Sequence, residues 1–350
     1  MQAKMNAILN ELSIAATCVR AERHRHLAFF DIKVANQKGA LERLKRSSEA
    51  IALALKPETV PVISLVPKDG VVRMHMAMGP AESINLVDLY GGEEIDIEKK
   101  VFPLLLGENA EGHKLWTDMN NSPHMLVAGA TNSGKSTVLH TLIGNALNLH
   151  ALGCRRMCIH LVDPKQVEFQ RYNDECLNGV VKNIVTEYTD TVSMFEGLVQ
   201  QMDRRYEKLR DLGLQSIAEK PWIIPLITCV VDEVSSLILQ DKSGKLQGLF
   251  IQIAQKGRAA GIFLTLATQR PTTDVITGSL KANFPGRIAC KVSQRQDSLV
   301  ILDDIGAETL LGKGDSILKD DKHSKVRFQA AYTTPQKNID TFKFYNSLKG

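Results

Sequence analysis

The residues best suited to chemistry form a glycine-rich loop that is followed by a lysine and a serine. Residues 129–136 read Gly-Ala-Thr-Asn-Ser-Gly-Lys-Ser, which fits the pattern GxxxxGK[ST]. A phosphate group needs several backbone N–H donors that converge on it, and glycines let the chain curl closely enough to supply them. A helix that starts at the loop adds the positive end of its dipole. The segment therefore predicts a phosphate-binding loop between a buried strand and a helix.

Each residue of this loop has an expected role if the phosphates belong to ATP. Lys135 would reach the β and γ phosphates, and the hydroxyl of Ser136 would bind Mg²⁺. The residues expected to contact the nucleotide are Gly129, Ala130, Thr131, Asn132, Ser133, Gly134, Lys135, Ser136 and Thr137. The alternative interpretation is a glycine-rich turn with an accidental lysine.

Further candidate residues follow two later apolar runs. Asp232 and Glu233 come directly after the run 226–231. Phosphoryl transfer to water needs a carboxylate near the metal and a group that orients the water, so we expect Asp232 to hold Mg²⁺ and Glu233 to act as general base. Gln269 follows the run 262–267 and is the candidate sensor of the γ phosphate. Its alternative is a polar strand end that the nearby proline closes.

The elements that must position these residues alternate between short apolar runs and helical patterns from about residue 115 onward. Runs that are apolar throughout are typical of strands buried on both faces, and strand–helix alternation predicts an α/β fold with a mainly parallel sheet. The longest helical pattern extends from about residue 195 to 209, and Gly213 is placed to cap it. The predicted strands are 125–128, 157–162, 227–231, 262–267 and 287–292.

The first hundred residues predict a smaller unit with a different pattern. Apolar residues at spacings of three and four indicate an amphipathic helix over residues 3–22, and alternation indicates a strand over 30–34. A second helix over 41–55 and strands at 60–66 and 71–78 complete a small α/β unit. The expected division is an N-terminal helix over 1–26, a small α/β domain over 27–110 and a P-loop ATPase domain over 111–350.

Composition excludes several classes of protein. The chain has 350 residues, of which 44% are hydrophobic and 23% are charged, as in a globular protein with a large core. No apolar run approaches the roughly 18 residues that a membrane helix needs, so we expect no membrane insertion and a cytoplasmic location. The six cysteines form no CxxC pair, which removes support for a zinc ribbon. A net charge of +4 is too small to indicate nucleic-acid binding by itself.

Seven segments stand in an order that is far more specific than a single phosphate loop. They are PHMLVAGATNSGKS, HLVDPKQVEF, QMDRRYEKL, CVVDEV, IAQKGRAAGIFLTLATQRP, DVITGSLKANFPGRIACKVS and DDIGAETLLGKGD. In this order they resemble the motor region of the FtsK/SpoIIIE family of double-stranded DNA translocases. The resemblance is strong over residues 100–350, and residues 28–100 weakly resemble the small domain that precedes the motor fold in that family.

The resemblance implies a RecA-like P-loop NTPase core that assembles as a hexameric ring around double-stranded DNA. ATP would then lie between subunits, where an arginine of the neighbouring subunit stabilises the transition state. The candidates for this arginine finger are Arg258 and Arg287, with Arg204 and Arg205 behind them, and a surface ion pair is the alternative for each. Lys281 and Arg287 are candidates for contacts with the DNA backbone.

The sequence also departs from the family pattern. Family members that segregate chromosomes have N-terminal membrane helices and a C-terminal winged-helix module, and we expect neither here, which argues against septum attachment and the reading of orientation sequences. A motor without these modules suits a phage, a plasmid or another mobile element, whose proteins are then candidate partners. Gly257 stands where the family usually has alanine, a change expected to loosen that helix.

Three functions are compatible with these residues. The leading one is ATP-driven translocation along double-stranded DNA. The second uses the same motor for DNA packaging or conjugative transfer, in which DNA is pumped through a portal or channel. The third is a nucleotide-gated DNA-binding scaffold without turnover, and the joint presence of Lys135, Asp232 and Glu233 argues against it.

Overall fold

A small antiparallel sheet begins the structure, a computed structural model that describes residues 1–35, 39–66, 69–90 and 100–348. Its four strands lie in the order β1-β2-β4-β3. Three helices cover the sheet, and Met5, Phe30, Leu44, Ile51 and Met74 meet in the core between them. The strands are β1 (Ala16–His24), β2 (Leu27–Val34), β3 (Val62–Val66) and β4 (Val71–Ala77), and the helices are α1 (Gln2–Glu11), α2 (Ala40–Arg46) and α3 (Ser48–Leu55).

The predicted helix over residues 3–22 is wrong beyond residue 11. Helix α1 ends at Glu11, Ser13 adopts a left-handed backbone with φ 52°, and β1 begins at Ala16. Burial in β1 supports the strand, because Cys18 is fully buried while its neighbour Val19 is 46% exposed. Pairing with β2 supplies β1 with the backbone partners that a lone helix would have provided internally. The predicted helix over 41–55 is divided at Ser47 into α2 and α3.

These elements also move the predicted domain boundaries. Strands β1 and β2 form one hairpin, so a boundary after residue 26 would divide it. Strand β6 (Pro103–Asn109) was predicted to belong to the small unit, but it pairs with two strands of the larger sheet. The small sheet therefore begins at residue 16, and the larger sheet includes residues 84–85 as well as residues from 103 onward.

The larger sheet has eleven strands, and its central part is parallel. Six neighbouring strands, in the order β10-β9-β11-β12-β8-β13, pair in parallel with one another, and every residue of β11 and β12 is buried. This confirms the predicted α/β fold with a mainly parallel sheet. An antiparallel extension, β14-β15-β6-β7, continues beyond β13. The strands are β5 (Ile84–Asn85), β6, β7 (Lys114–Asp118), β8 (His124–Ala128), β9 (Met157–Val162), β10 (Val181–Val185), β11 (Leu226–Val231), β12 (Ile262–Thr268), β13 (Gly286–Cys290), β14 (Asp315–Lys319) and β15 (Val326–Tyr332).

Helices cover both faces of this sheet and form two cores. One core contains apolar side chains of α5 and α11, and the other contains those of α6 and α8. The predicted long helix is α6, and Gly213 follows its end with φ 66° and an N–H that donates to the carbonyl of Arg210. Among the described residues, no helix is long and apolar enough to cross a bilayer. The helices are α4 (Leu86–Leu89), α5 (Lys135–Ala151), α6 (Tyr188–Asp211), α7 (Val234–Gln240), α8 (Lys245–Ala260), α9 (Gly278–Asn283), α10 (Arg295–Leu302) and α11 (Pro335–Ser347).

The parallel strands give the sheet two different edges. Strands β8, β9, β11, β12 and β13 all end at the same edge, which we call the carboxyl edge, and all begin at the opposite one, the amino edge. Strand β12 lies between β8 and β11. The glycine-rich loop after β8 and the acidic pair after β11 are therefore separated by the end of one strand. Ligands of open α/β sheets bind outside the carboxyl ends of the strands.

Candidate nucleotide site

The glycine-rich loop is anchored to the ends of the two strands that flank β8. The N–H of Gly129 donates to the carbonyl of Thr268 at 3.2 Å, and that of Ala130 donates to the carbonyl of Lys291 at 2.8 Å. Asn132 and Gly134 adopt positive φ values of 62° and 106°, which turn the chain into the first residue of α5. The loop is thus held by main-chain contacts, and the first turn of a long helix follows it, as an anion site requires.

Two glycines of the loop lie where no side chain fits. A Cβ at Gly129 would stand 2.6 Å from Cβ of Cys290, and one at Gly134 would stand 2.1 Å from the backbone nitrogen of Gly314. The second contact is part of a seam between the loop and residues 312–314, where the N–H of Gly314 donates to the carbonyl of Ser133 at 3.0 Å. The main chain of residues 312–314 therefore packs directly against the loop.

Lys135 and Asp232 form a buried ion pair across the end of β12. The lysine ammonium donates to the carboxylate, and both residues are only 4% exposed. Burial raises the pKa of Asp232 above its ordinary value, even though Lys135 acts to lower it. A carboxylate in this position is costly without the lysine, so the two groups depend on each other.

Glu233 is held in place by several donors. Its backbone is left-handed with φ 52°, a conformation that costs energy for a residue with a side chain. Its carboxylate accepts from the hydroxyl of Ser235, from Thr268 Oγ1 at 3.0 Å and from Lys165 Nζ at 3.0 Å. Burial acts to raise the pKa of Glu233, but the hydrogen bonds from Ser235 and Lys165 outweigh it, and the pKa lies below its ordinary value. The carboxylate is therefore ionised and oriented.

Gln269 connects the loop to the acidic pair. Its side-chain oxygen accepts from Thr131 Oγ1 at 3.2 Å, and its backbone N–H donates to Glu233 Oε1 at 3.2 Å. The geometry brings it to the place that its predicted role requires. That role, and those of Lys135, Asp232 and Glu233, stay predictions.

Sequence analysis included the loop after β9 in the family segment HLVDPKQVEF but assigned no role to its residues. Asp163 is fully buried and accepts from the N–H groups of Glu168 and Phe169, both at 2.9 Å. This fold of the loop places Glu168 against Ser136, with 2.9 Å between Ser136 Oγ and Glu168 Oε2. Burial acts to raise the pKa of Glu168, but contacts with His140 and Ser136 outweigh it and lower the pKa. Only the sheet order, with β9 beside β11, could have revealed this placement.

The predicted arginine fingers and DNA contacts lie away from this site. Arg258 is exposed in the last turn of α8, at the amino edge. It is separated from the carboxyl edge by the length of β12, about 23 Å for a strand of this length. Arg205 is 5% exposed and donates to the carbonyls of Ala260 and Pro225, which gives it a structural role. Arg204 is exposed on α6.

Lys281 and Arg287 share one acidic partner. Both donate to the carboxylate of Asp303, and Lys319 Nζ lies 3.7 Å from the same carboxylate. Arg287 pairs in register with Leu126, short of the carboxyl edge. One acid thus faces three basic side chains, which leaves a local positive charge.

The predicted loosening of α8 by Gly257 is wrong. A Cβ at residue 257 would stand 2.6 Å from the carbonyl oxygen of Ile262 and 3.1 Å from a side-chain carbon of Ile253. The glycine therefore allows α8 to approach the start of β12 closely. Alanine at this position would push the helix away from the sheet.

The donors beside the loop suit a magnesium ion that arrives with a nucleotide. The hydroxyl of Ser136 and the carboxylate of Asp232 are hard oxygen ligands of the kind Mg²⁺ prefers. Within the described ranges, no three His, Cys, Asp or Glu side chains are grouped so as to hold a metal by themselves. The ion would complete its shell with phosphate oxygens and water, as Mg²⁺ usually does.

The anchored loop, the buried lysine–aspartate pair and the interposed strand are the arrangement of a P-loop nucleotide-binding fold. Residues 85–222 match the model of the FtsK/SpoIIIE family. The DNA translocase FtsK of Chlamydia muridarum is 34% identical over 324 residues, which cover 87% of this chain and 40% of that protein. The DNA translocase FtsK of Streptococcus pneumoniae is 31% identical and matches over 99% of this chain and 46% of its own length. The chain belongs to the FtsK/SpoIIIE family and spans less than half the length of these relatives.

Solved structures share the fold. The monomer form of the pCW3 conjugation coupling protein TcpA, solved with ATPγS, superposes with a TM-score of 0.67 at 22% identity and covers 100% of this chain and 99% of its own. The cytoplasmic domain of the type VII secretion ATPase EccC of Thermomonospora curvata gives a TM-score of 0.65 at 26% identity, over 76% of this chain and 34% of its own. The likeness to TcpA includes the small antiparallel sheet as well as the ATPase core.

Proposed function

We propose that this chain hydrolyses ATP with Mg²⁺ at the carboxyl edge and uses the energy to move along double-stranded DNA. One observation supports the chemistry above all: Lys135, Asp232 and Glu233 converge around a loop whose backbone is shaped for phosphate. The relatives named DNA translocase FtsK support the proposal that the substrate is DNA. The site lies on a chain with the family's motor motifs in order, which favours movement over static binding.

The residues divide the reaction between them. The N–H groups of the loop and the Lys135 ammonium bind the phosphates and stabilise the charge that develops on them. Ser136 and Asp232 would hold Mg²⁺, which neutralises phosphate charge when it is bound. Glu233, ionised and fixed by its donors, accepts the proton of the attacking water, and Gln269 contacts both the loop and Glu233 and so responds to the γ phosphate.

The exposed arginine at the amino edge favours a ring-shaped oligomer. Arg258 is exposed about one strand length from its own nucleotide site, so it serves catalysis only by reaching the site of a neighbouring subunit. A closed ring with head-to-tail contacts provides that arrangement, and we propose a hexamer. Lys281 and Arg287 would exchange Asp303 for DNA phosphates, a contact without sequence information that lets a motor slide. We place the reaction in the cytoplasm, and partners from a mobile element stay a prediction.

The test is DNA-dependent ATP turnover together with displacement of a third strand from a duplex. The purified chain should show ATPase activity that linear duplex DNA stimulates, and it should displace a triplex-forming oligonucleotide only when ATP is present. Lys135→Ala should abolish both, while Lys45→Ala, an exposed lysine of α2, should leave both unchanged. Absence of DNA stimulation in the wild type would overturn the proposal.

Two other outcomes would favour the alternatives. ATP turnover on DNA without displacement, together with copurification of a portal or channel protein, would indicate packaging or conjugative transfer. Tight ATP binding without turnover in the wild type would indicate a nucleotide-gated scaffold.

A further inference from the structure

A chain of polar contacts runs from the loop serine to the C-terminal helix α11. Ser136 Oγ donates to Glu168 Oε2 at 2.9 Å, and the other carboxylate oxygen, Oε1, lies 2.9 Å from His140 Nε2. His140 Nδ1 is 3.2 Å from the hydroxyl of Tyr172, which in turn accepts from Asn338 Nδ2 at 2.8 Å. The last three residues are 7%, 1% and 3% exposed, so the chain passes through the interior.

With a neutral His140, the donors and acceptors of this chain fit in one direction. Asn338 donates to the tyrosine oxygen, which leaves the tyrosine hydrogen free to point to His140 Nδ1. A ring that accepts at Nδ1 donates at Nε2, and its acceptor is Glu168. Glu168 therefore receives hydrogen bonds at both oxygens, one from His140 and one from Ser136.

Glu168 is also fixed through its backbone. Its N–H donates to the fully buried carboxylate of Asp163 at 2.9 Å. Asn338 anchors the far end of the chain twice, since its amide also donates to the carbonyl of His140 at 2.8 Å and its oxygen accepts from Thr333 Oγ1 at 2.7 Å. The carboxylate at the loop is thus held from two sides and cannot turn to follow the serine.

We propose that Glu168 is a positioning residue that orients the Ser136 hydroxyl for the metal. A hydroxyl that binds a cation through its oxygen must turn its hydrogen away from the cation and onto an acceptor. Glu168 is such an acceptor, so the lone pairs of Ser136 Oγ are kept free for Mg²⁺. Partners of this kind behind a ligand typically change metal affinity by about 10–100-fold. The inference rests on the proposed function only in taking Mg²⁺-nucleotide as the ligand.

The experiment measures nucleotide binding with and without magnesium. A fluorescent, non-hydrolysable ATP analogue is titrated into the full chain in EDTA and in magnesium chloride, without DNA. Magnesium should strengthen binding to the wild type. In Glu168→Ala the ratio of the affinity in magnesium to the affinity in EDTA should be about 10-fold or more below that of the wild type, while the affinity in EDTA stays unchanged. Glu168→Gln, which keeps one acceptor oxygen for the two donors, should recover part of the gain.

Matched controls separate orientation from folding. Val167→Ala changes the adjacent residue, whose side chain is 79% exposed, and should behave as the wild type. Ser136→Ala should lose the magnesium gain, and the double variant Ser136→Ala/Glu168→Ala should lose no more than that, because both changes act on one contact. An additive double variant, an equal loss in EDTA, or no magnesium gain in the wild type would each overturn the proposal.

The binding assay is independent of motor activity. If the wild type binds the analogue with the expected magnesium dependence but shows no DNA-stimulated turnover, the proposed translocation fails and the role of Glu168 stands. If turnover on DNA is normal but Glu168→Ala keeps the full magnesium gain, the role of Glu168 fails and the proposed function stands.

Discussion

The two edges of the parallel sheet differ in how completely one subunit satisfies their charges. At the carboxyl edge the acids find donors within the chain: Asp232 contacts Lys135, Glu233 contacts Lys165, and Glu168 accepts from Ser136 and from the neutral ring of His140. At the amino edge Arg258 is exposed, and beside the start of β13 three basic side chains share the carboxylate of Asp303. At one edge the acids are satisfied by donors of the same chain, and at the other the basic side chains outnumber the acid they share.

This difference indicates which edge acts within the subunit and which acts outside it. Charged side chains that are held in place by donors of the same chain are preorganised, and a site for phosphate transfer requires such preorganisation. Basic side chains that outnumber their acidic partners create a positive potential that attracts negative charge from a partner. The amino edge therefore suits contacts with a neighbouring nucleotide or with DNA, and the following changes test this contrast.

The largest expected effect comes from Arg258→Ala at the amino edge. Removal of an arginine that acts on a neighbour's nucleotide should lower DNA-stimulated turnover by about 10³–10⁵-fold, while nucleotide binding to the chain itself is retained. Because the two edges belong to different sites in a ring, mixing Arg258→Ala with Lys135→Ala should restore part of the activity that each lacks alone. Turnover and nucleotide binding are measured on the separate and mixed preparations.

Lys256→Ala is the control for this experiment. Lys256 is exposed on the same helix, two residues before Arg258, and its loss should leave turnover within about 2-fold. If the mixture of the two inactive variants stays inactive, or if Arg258→Ala weakens nucleotide binding, the arginine does not act across a subunit boundary.

Glu233→Gln tests the carboxyl edge with the next largest effect. Glutamine has nearly the same size as glutamate and can still form hydrogen bonds, but it cannot accept a proton. Turnover should therefore fall by about 10²–10⁴-fold. Binding of nucleotide should persist, since Lys135 and the loop are untouched. Single-turnover hydrolysis and equilibrium binding separate the two quantities. Residual turnover near the wild-type rate would assign the base to another group.

The carboxyl edge was largely predictable because its chemistry is local in sequence. The succession of a strand, a loop and a helix indicates the phosphate-binding loop. An apolar run before two acids indicates the residues predicted to hold the metal and to act as the base. Glu168 and Lys165 lie in a segment that was identified as a family motif, but their roles were not predicted, because their placement depends on β9 lying beside β11, a long-range pairing with no local signal.

The small N-terminal sheet shows the opposite case. The apolar residues at helical spacing extend from α1 into residues 16 and 19, so periodicity alone favoured one long helix. Only pairing with β2 makes the second half a strand, and that pairing is a tertiary contact. The role of Gly257 was misjudged for the same reason, because helix propensity contains no information about the carbonyl of Ile262.

Gly257→Ala should destabilise the amino edge. The added methyl group would meet a backbone carbonyl at 2.6 Å, which cannot move aside as a flexible side chain would. Overpacking of this kind costs about 1–3 kcal/mol, which outweighs the better helix propensity of alanine. Thermal and urea unfolding of the variant measure the loss, and an unchanged stability would show that α8 is free to shift away from β12.

Gly248→Ala has the smallest expected effect and is the matched comparison for Gly257→Ala. Residue 248 lies in the same helix, α8, but a Cβ there would meet nothing within 4 Å. Residue 248 is exposed, so alanine should stabilise the chain by about 0.4–1 kcal/mol through a less flexible unfolded state. The same unfolding measurements apply, and opposite signs at 248 and 257 would show that packing at the amino edge, not helix propensity, decides the effect. A destabilised Gly248→Ala variant would contradict the packing described for the helix.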